Sequence, residues 1–73
     1  MGGKQDAVKV VWFDGIFGAV LPDTTEPVSW LIRNNYVLMG EVSFNPGLTK
    51  VPVRHLPSGH TSLAKIVTVP VEQ

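Results

Sequence analysis

The longest near-continuous apolar segment of the chain spans residues 36–44, and turn-forming residues lie on both sides of it. Asn34-Asn35 precedes the segment and Asn45-Pro46-Gly47 follows it. Strand-forming residues bracketed by such turns are typical of an antiparallel sheet. We therefore predict that residues 36–44 form the central strand of a small sheet, whose other strands come from the rest of the chain.

The N-terminal third carries the pattern of a β-hairpin. Residues 7–13 are rich in β-branched and aromatic side chains, and Val8, Val10 and Trp12 would share one face of a strand. Asp14-Gly15 follows, and this pair favours a type I′ turn because both central residues of that turn have positive φ. The returning strand, residues 16–21, contains Gly18, which indicates a β-bulge or a close backbone approach.

Residues 25–33 allow two interpretations. Thr25 can cap a short helix that Asn34 or Asn35 ends, with Val28, Leu31 and Ile32 on one face. Alternatively, Val28, Trp30 and Ile32 alternate as in a strand. We favour the helix, which is too short to be stable alone in water and must pack on the sheet.

The C-terminal half predicts two further strands, residues 48–56 and 61–71, and each contains a proline. Pro52 cannot donate a hydrogen bond to a neighbouring strand, so we expect residues 48–56 to form an edge strand or to be bulged. The predicted fold is mainly β, or small α+β: an antiparallel sheet of four to five short strands with one short helix near residues 25–33. The 73 residues form a single small domain, in which we expect the polar, Gly-rich residues 1–6 to be disordered.

Composition narrows the function. The chain contains no cysteine, and its net charge of zero weakens the argument for general nucleic-acid binding. His55 and His60, the two histidines, have no third metal ligand near them in the sequence. Neither a nucleophile elbow nor a phosphate-binding loop is present, so we expect a protein without enzymatic activity or a cofactor. Without an apolar signal or membrane segment, we expect a cytoplasmic location and no membrane partner.

The predicted edge strand carries alternating apolar and basic residues, a pattern that suits the addition of an extended peptide from a larger protein. The predicted partner-binding residues are Lys50, Val51, Val53, Arg54 and His55, joined by Val69 and Val71. On this hypothesis, Arg54→Glu and Val53→Asp weaken partner binding and leave the thermal midpoint nearly unchanged. The alternative interpretation is an ordinary solvated edge.

Two other functions fit the sequence. One is a small β-barrel that binds nucleic acid through Lys50, Arg54 and Lys65 with an exposed aromatic residue. Along the sequence these basic residues do not interleave with the aromatic ones, so we expect no direct nucleic-acid binding by the chain alone. The other is a self-associating structural subunit, because oligomerisation often completes a thin core. The sequence leaves the oligomeric state open.

The chain is short and cysteine-free, begins with methionine, carries no enzyme motif and contains β-rich segments such as AVKVVWFDGIF and YVLMGEVSF. In this general character it resembles small transcription regulators of lytic bacteriophages that bind host bacterial RNA polymerase. The resemblance implies a non-enzymatic inhibitor that docks on the largest polymerase subunit in the host cytoplasm. There it would hinder sigma-dependent initiation and allow terminator read-through (antitermination). It transfers no functional residue to this chain.

Overall fold

The computed structural model describes residues 7–71, so the expected disorder of residues 1–6 lies outside the described residues. In the described part, six strands and one helix follow each other along the chain. They are β1 (Ala7–Phe13), β2 (Ile16–Pro22), α1 (Pro27–Arg33), β3 (Tyr36–Leu38), β4 (Ser43–Asn45), β5 (Leu48–His55) and β6 (His60–Pro70). All strand pairs are antiparallel, which confirms the predicted small α+β fold with one short helix.

The sheet is ordered β2-β1-β6-β5, and β3 and β4 lie one after the other along the outer side of β5. The strand between β1 and β5 is therefore β6, and the prediction that residues 36–44 form the central strand is wrong. That segment is split into β3 and β4 at the edge, where Val37, Met39 and Phe44 are exposed. Its apolar character does not reflect burial between two neighbouring strands.

The predicted hairpin of β1 and β2 is confirmed. Asp14 and Gly15 both have positive φ, 52° and 82°, as a type I′ turn requires. Opposite Val11 and Trp12 the register shifts by one residue, and the extra residue on β2 is Gly18. A Cβ atom at Gly18 would lie 2.7 Å from ring carbons of Phe13, so only glycine fits this bulge without displacement of the ring.

The helical interpretation of residues 25–33 is also confirmed, with a cap one residue later than predicted. Glu26, and not Thr25, is the N-cap: its carboxylate accepts a hydrogen bond from the Ser29 amide at 2.9 Å, and Pro27 occupies the first turn. The helix ends before Asn35, whose φ of 70° is the predicted left-handed conformation. The helix is therefore specified by local signals at both ends.

One face of the sheet, here called the covered face, forms the core together with α1. The helix contributes Leu31, which has no exposed surface, and the partly buried Trp30. Phe13 and Tyr36 stack against this core with ring centroids 4.9 Å apart. The buried residues are Val11, Leu21, Leu31, Val51, Val53, Ala64 and Ile66. Partly buried apolar side chains pack around this small set and add to the hydrophobic stabilisation of the monomer.

The prediction that residues 48–56 form an edge strand is wrong, because β5 is paired on both sides. Pro52 is tolerated inside the sheet because its carbonyl accepts from Met39 at 2.8 Å, which places its missing N–H on the side of the break between β3 and β4. Gly40 lies in that break, and a Cβ atom there would lie 2.8 Å from Cγ of Pro52. The proline and the interruption of the edge strand therefore occur together.

Candidate functional site

The second face of the sheet, here called the open face, is not covered by α1. Because side chains alternate along each strand, the neighbours of the buried strand residues project onto this face. The open face consists of Val8, Val10, Trp12, Phe17, Val20, Pro22, Val37, Ser43, Asn45, Leu48, Lys50, Pro52, Arg54, Thr61, Leu63, Lys65, Val67 and Val69. Most of these side chains are apolar, so the face differs from the polar outer face of an ordinary two-layer domain.

Aliphatic side chains form a continuous row across four strands of the open face. Val20 is the register partner of Val10, Val10 of Val67, and Val67 of Leu48. In the next row, Val8 pairs with Val69. Directly opposite side chains on one face contact each other, so these residues form an apolar patch rather than isolated exposed groups.

A second row combines aromatic and basic side chains. Trp12 is the register partner of Lys65, and Lys65 is the register partner of Lys50. Phe17 extends the row onto β2, where its ring meets Trp12 edge-on with centroids 5.7 Å apart. The basic and aromatic residues that are separate along the sequence are therefore adjacent in the sheet, because β1 pairs with β6.

The charges on the strand residues of the open face are all positive: Lys50, Arg54 and Lys65. Among the described residues the only ion pair joins Lys9 to Asp23 at 3.2 Å, and neither residue belongs to the open face. The three basic side chains thus have no described acidic partner. Lys50 and Lys65 are register partners on neighbouring strands. Like charges directly opposite each other repel, and an anionic partner would relieve this repulsion.

The described acidic residues include two with structural roles elsewhere. Asp14 accepts a hydrogen bond from the Leu63 amide at 2.8 Å and so fastens the β1–β2 turn to β6. The Ser29 amide that bonds to Glu26 lowers the pKa of this carboxyl, and the other bonds to Ser29 and Val28 contribute in the same direction. These carboxylates stabilise a turn and a helix end, and they do not neutralise the open face.

The structure divides the predicted partner-binding residues between the two faces. Lys50, Arg54 and Val69 lie on the open face. Val51 and Val53 are 0% exposed and belong to the core. They were predicted at the surface because β5 was expected to be an edge strand with one face in solvent.

His55 and Val71 are the remaining two predicted residues. His55 lies on the covered face, 4.7 Å from Tyr36 between ring centroids, and its Nδ1 is hydrogen-bonded to Ser58 Oγ at 3.1 Å. Val71 is half-buried and follows the end of β6. Because both sides of β5 are occupied, strand addition at this strand is wrong as a mode of binding. Partner binding through the exposed members of the set stays a prediction.

The described residues contain no enclosed cavity and no group of three or more metal-ligating side chains. His55 and His60 are register partners at the end of the β5–β6 hairpin. Within residues 7–71 the single helix has seven residues, too few to cross a bilayer.

Comparison of the chain with protein families, with curated proteins and with solved structures finds no match.

Sequence reasoning missed the composition of the open face. The shared face of Val8, Val10 and Trp12 was predicted from alternation, but the residues beside it, Lys65 and Val67, depend on long-range pairing. The alternation within residues 61–71 was a usable signal, because Ala64 and Ile66 point to one face and Lys65 and Val67 to the other. The sequence did not indicate which of these two faces the helix would cover.

Proposed function

We propose that this protein is a non-enzymatic interaction module that docks on a larger protein through its open face. The observation that carries the proposal is the contiguous apolar patch on this face, bordered by three unpaired basic side chains. Phe17 and Val20 are 55% and 54% exposed, far from the burial of chemically similar residues on the covered face. An exposed apolar patch of this kind marks an interaction site more often than a solvated surface.

The composition of the patch fits a protein partner. Its aliphatic rows can pack against apolar side chains, and Trp12 and Phe17 are the aromatic type enriched at the centres of protein interfaces. Lys50, Arg54 and Lys65 then favour a partner surface with acidic residues around an apolar centre. Such charges raise the association rate and select the partner more than they raise the affinity.

The partner that we propose is the largest subunit of bacterial RNA polymerase, on the resemblance to lytic-phage transcription regulators. On this proposal the chain works in the cytoplasm of the host, inhibits sigma-dependent initiation and allows polymerase to read through terminators. The open face would supply the contact, and the effect would come from occupying a polymerase surface. No chemical step by the chain is required.

The test is binding of purified bacterial RNA polymerase to the immobilised chain, measured by biolayer interferometry. The double variant Lys50→Glu/Lys65→Glu reverses two charges at the middle of the open face. Arg33→Glu is the control, because it reverses one positive charge at an exposed position on the helix, away from the open face. We expect the double variant to weaken binding about tenfold or more and Arg33→Glu to leave it nearly unchanged.

Each result bears on a different part of the proposal. If wild-type chain does not bind polymerase at about 10 μM, the polymerase is the wrong partner. If polymerase binds but the double variant binds equally well, the open face is the wrong surface. Run-off transcription from a sigma-dependent promoter ahead of a terminator then tests the consequence, since inhibition and read-through should both follow the affinities of the variants.

A second candidate function is binding of single-stranded nucleic acid, favoured by the row of Phe17, Trp12, Lys65 and Lys50. Aromatic rings can stack on bases while neighbouring lysines contact the phosphates, and this arrangement requires no particular sequence. The zero net charge of the chain argues against it as the main function. The local charge of the open face argues for it.

Fluorescence anisotropy with labelled oligo-dT separates this candidate from the first. Stacking contributes about 1–3 kcal/mol per base, so Phe17→Ala should weaken DNA binding roughly tenfold. The affinity should also fall steeply with added salt, since phosphate contacts release counterions. An absence of binding at low ionic strength would reject a nucleic-acid function and leave protein docking in place.

A further inference from the structure

The two edges of the sheet differ in the length and continuity of their strands. One edge is β3 and β4, two three-residue strands separated by residues 39–42. The other is β2, which runs over seven residues and pairs only with β1 in the described part of the chain. Main-chain N–H and C=O groups on the outer side of such an edge strand have no strand partner, so a further strand can pair with them.

Strand β2 lacks the usual protection of an edge. Its sequence, IFGAVLP, contains no charged residue, and Ile16, Phe17 and Val20 are 71%, 55% and 54% exposed. Natural edge strands are commonly blunted by lysines, prolines, bulges or short length. Here the only such devices are Pro22 at the last position and the bulge at Gly18. The uncharged stretch between them can accept a second strand.

We propose that β2 pairs antiparallel with β2 of a second copy of this chain, which joins two sheets into one across a two-fold axis. In such a pairing the residue at the two-fold axis faces its own counterpart, so a charged residue there would meet a like charge. The absence of charge along β2 removes this repulsion. Phe17 and Val20 would gain apolar neighbours from the other copy.

The edge formed by β3 and β4, opposite β2, limits the proposed assembly to two copies. Head-to-tail addition of β2 onto the β3–β4 edge would build an open fibre, since that contact does not close on itself. The break at residues 39–42 interrupts the row of main-chain groups that such a contact needs. Growth therefore stops after one isologous contact, and a dimer is the expected assembly.

The proposal concerns main-chain pairing at an edge rather than docking through the open face, although Phe17 and Val20 belong to both. A two-fold axis perpendicular to the sheet would leave both open faces on the same side of the dimer. Each open face keeps its own aromatic and basic row. A partner protein could still dock on either copy.

The test is sedimentation velocity across a concentration series from about 1 μM to about 1 mM. Wild-type chain should pass from monomer to dimer and no further. Val20→Lys places a charge on β2, and its dimer dissociation constant should rise about tenfold or more. The matched control is Val37→Lys, the same substitution at an exposed position of β3, which should associate like the wild type.

Further variants distinguish pairing at the β2 edge from stacking of open faces. Val69→Lys adds a charge to the open face away from β2 and should leave the dimer intact. Because the chain has no cysteine, Val20→Cys introduces a single thiol in the middle of the uncharged stretch, which should form a disulfide-linked dimer under mild oxidation, whereas Val37→Cys should not. Phe17→Lys repeats the charge test in case Val20→Lys alters folding, which circular dichroism reports.

Three results would overturn the proposal. The first is a wild-type chain that stays monomeric up to the highest concentration. The second is a dimer that Val69→Lys disrupts and Val20→Lys does not, which would identify the open face as the contact. The third is assembly that continues beyond two copies, which would show that the β3–β4 edge accepts β2.

Discussion

The covered and open faces of the sheet are built from similar residues and differ in how deeply these residues are buried. Val51 and Val53 on β5 are completely buried, whereas Val20 and Val69 on the other face are exposed. The seven-residue helix covers only one face, and the charged side chains of the strands lie mainly on the other. The comparison shows that a 73-residue chain can place much of its apolar surface where it does not stabilise the monomer.

The largest effect should follow a charge placed on the covered face. Val53→Asp buries a carboxylate in the core and should lower the free energy of unfolding by about 4 kcal/mol or more, enough to unfold a domain of this size. From the sequence we expected Val53→Asp to leave the thermal midpoint nearly unchanged. That expectation conflicts with the structure, because Val53 is completely buried. Val69→Asp is the matched control on the open face and should change stability by less than about 1 kcal/mol. Equal urea midpoints for the two variants would show that the faces are not distinct.

The next largest loss of stability is expected from a substitution in α1, which covers one face of the sheet. Leu31→Ala removes a fully buried side chain and should lower the free energy of unfolding by about 3 kcal/mol. Ile32→Ala, one residue further along the same helix, removes a side chain that is 58% exposed and should cost well under 1 kcal/mol. Urea denaturation of both variants measures the difference. Similar losses would mean that α1 does not pack on the sheet through Leu31.

A smaller effect is expected at the bulge. Gly18→Ala introduces a Cβ 2.7 Å from the Phe13 ring and 3.1 Å from the Val11 carbonyl oxygen, and should destabilise the fold by about 1–3 kcal/mol. Phe13 packs on the covered face, so the strain reaches the core. In a Phe13→Leu background the penalty should shrink, which a double-mutant cycle by thermal denaturation can measure. An unchanged penalty would place the strain in the backbone instead.

The smallest expected effect is a change in how the stability of the fold depends on pH. Glu26 has a pKa lowered chiefly by the Ser29 amide, so its folded-state pKa lies below its unfolded value. Its stabilisation is therefore fully present above the unfolded pKa, about 4.3, and is lost as the pH falls through the folded pKa. Glu26→Gln should remove that part of the acid sensitivity and cost about 1 kcal/mol at neutral pH.

The control for the pH experiment is Glu41→Gln, in the exposed link between β3 and β4. Thermal midpoints of the three proteins at neutral and acidic pH measure the effect. The wild type and Glu41→Gln should lose more stability on acidification than Glu26→Gln. If all three lose the same amount, the cap does not stabilise the helix through its charge.

Features set by neighbouring residues were predictable from the sequence. The Asp14-Gly15 turn, the bulge at Gly18 and the left-handed Asn35 all follow from local backbone preferences, and the structure confirms them. The helix cap was displaced by one residue, from Thr25 to Glu26, because either side chain can accept a bond from the first turn.

Features set by distant pairing were not predictable. Pro52 indicated an edge strand, and only the break between β3 and β4 explains how this proline sits inside the sheet. Trp12 and Lys65 are more than fifty residues apart in the chain, and they become neighbours only because β1 pairs with β6. The candidate site is built from such pairings, so its members were visible in the sequence but their arrangement was not.

The strand at the middle of the sheet is also the last element of the chain. The β1–β2 hairpin and the β3–β4–β5 segment share no strand pairing with each other, and β6 pairs with both of them. Neither part can complete the sheet before β6 has joined it. The folding rate should therefore be set by closure of the long loop between β1 and β6.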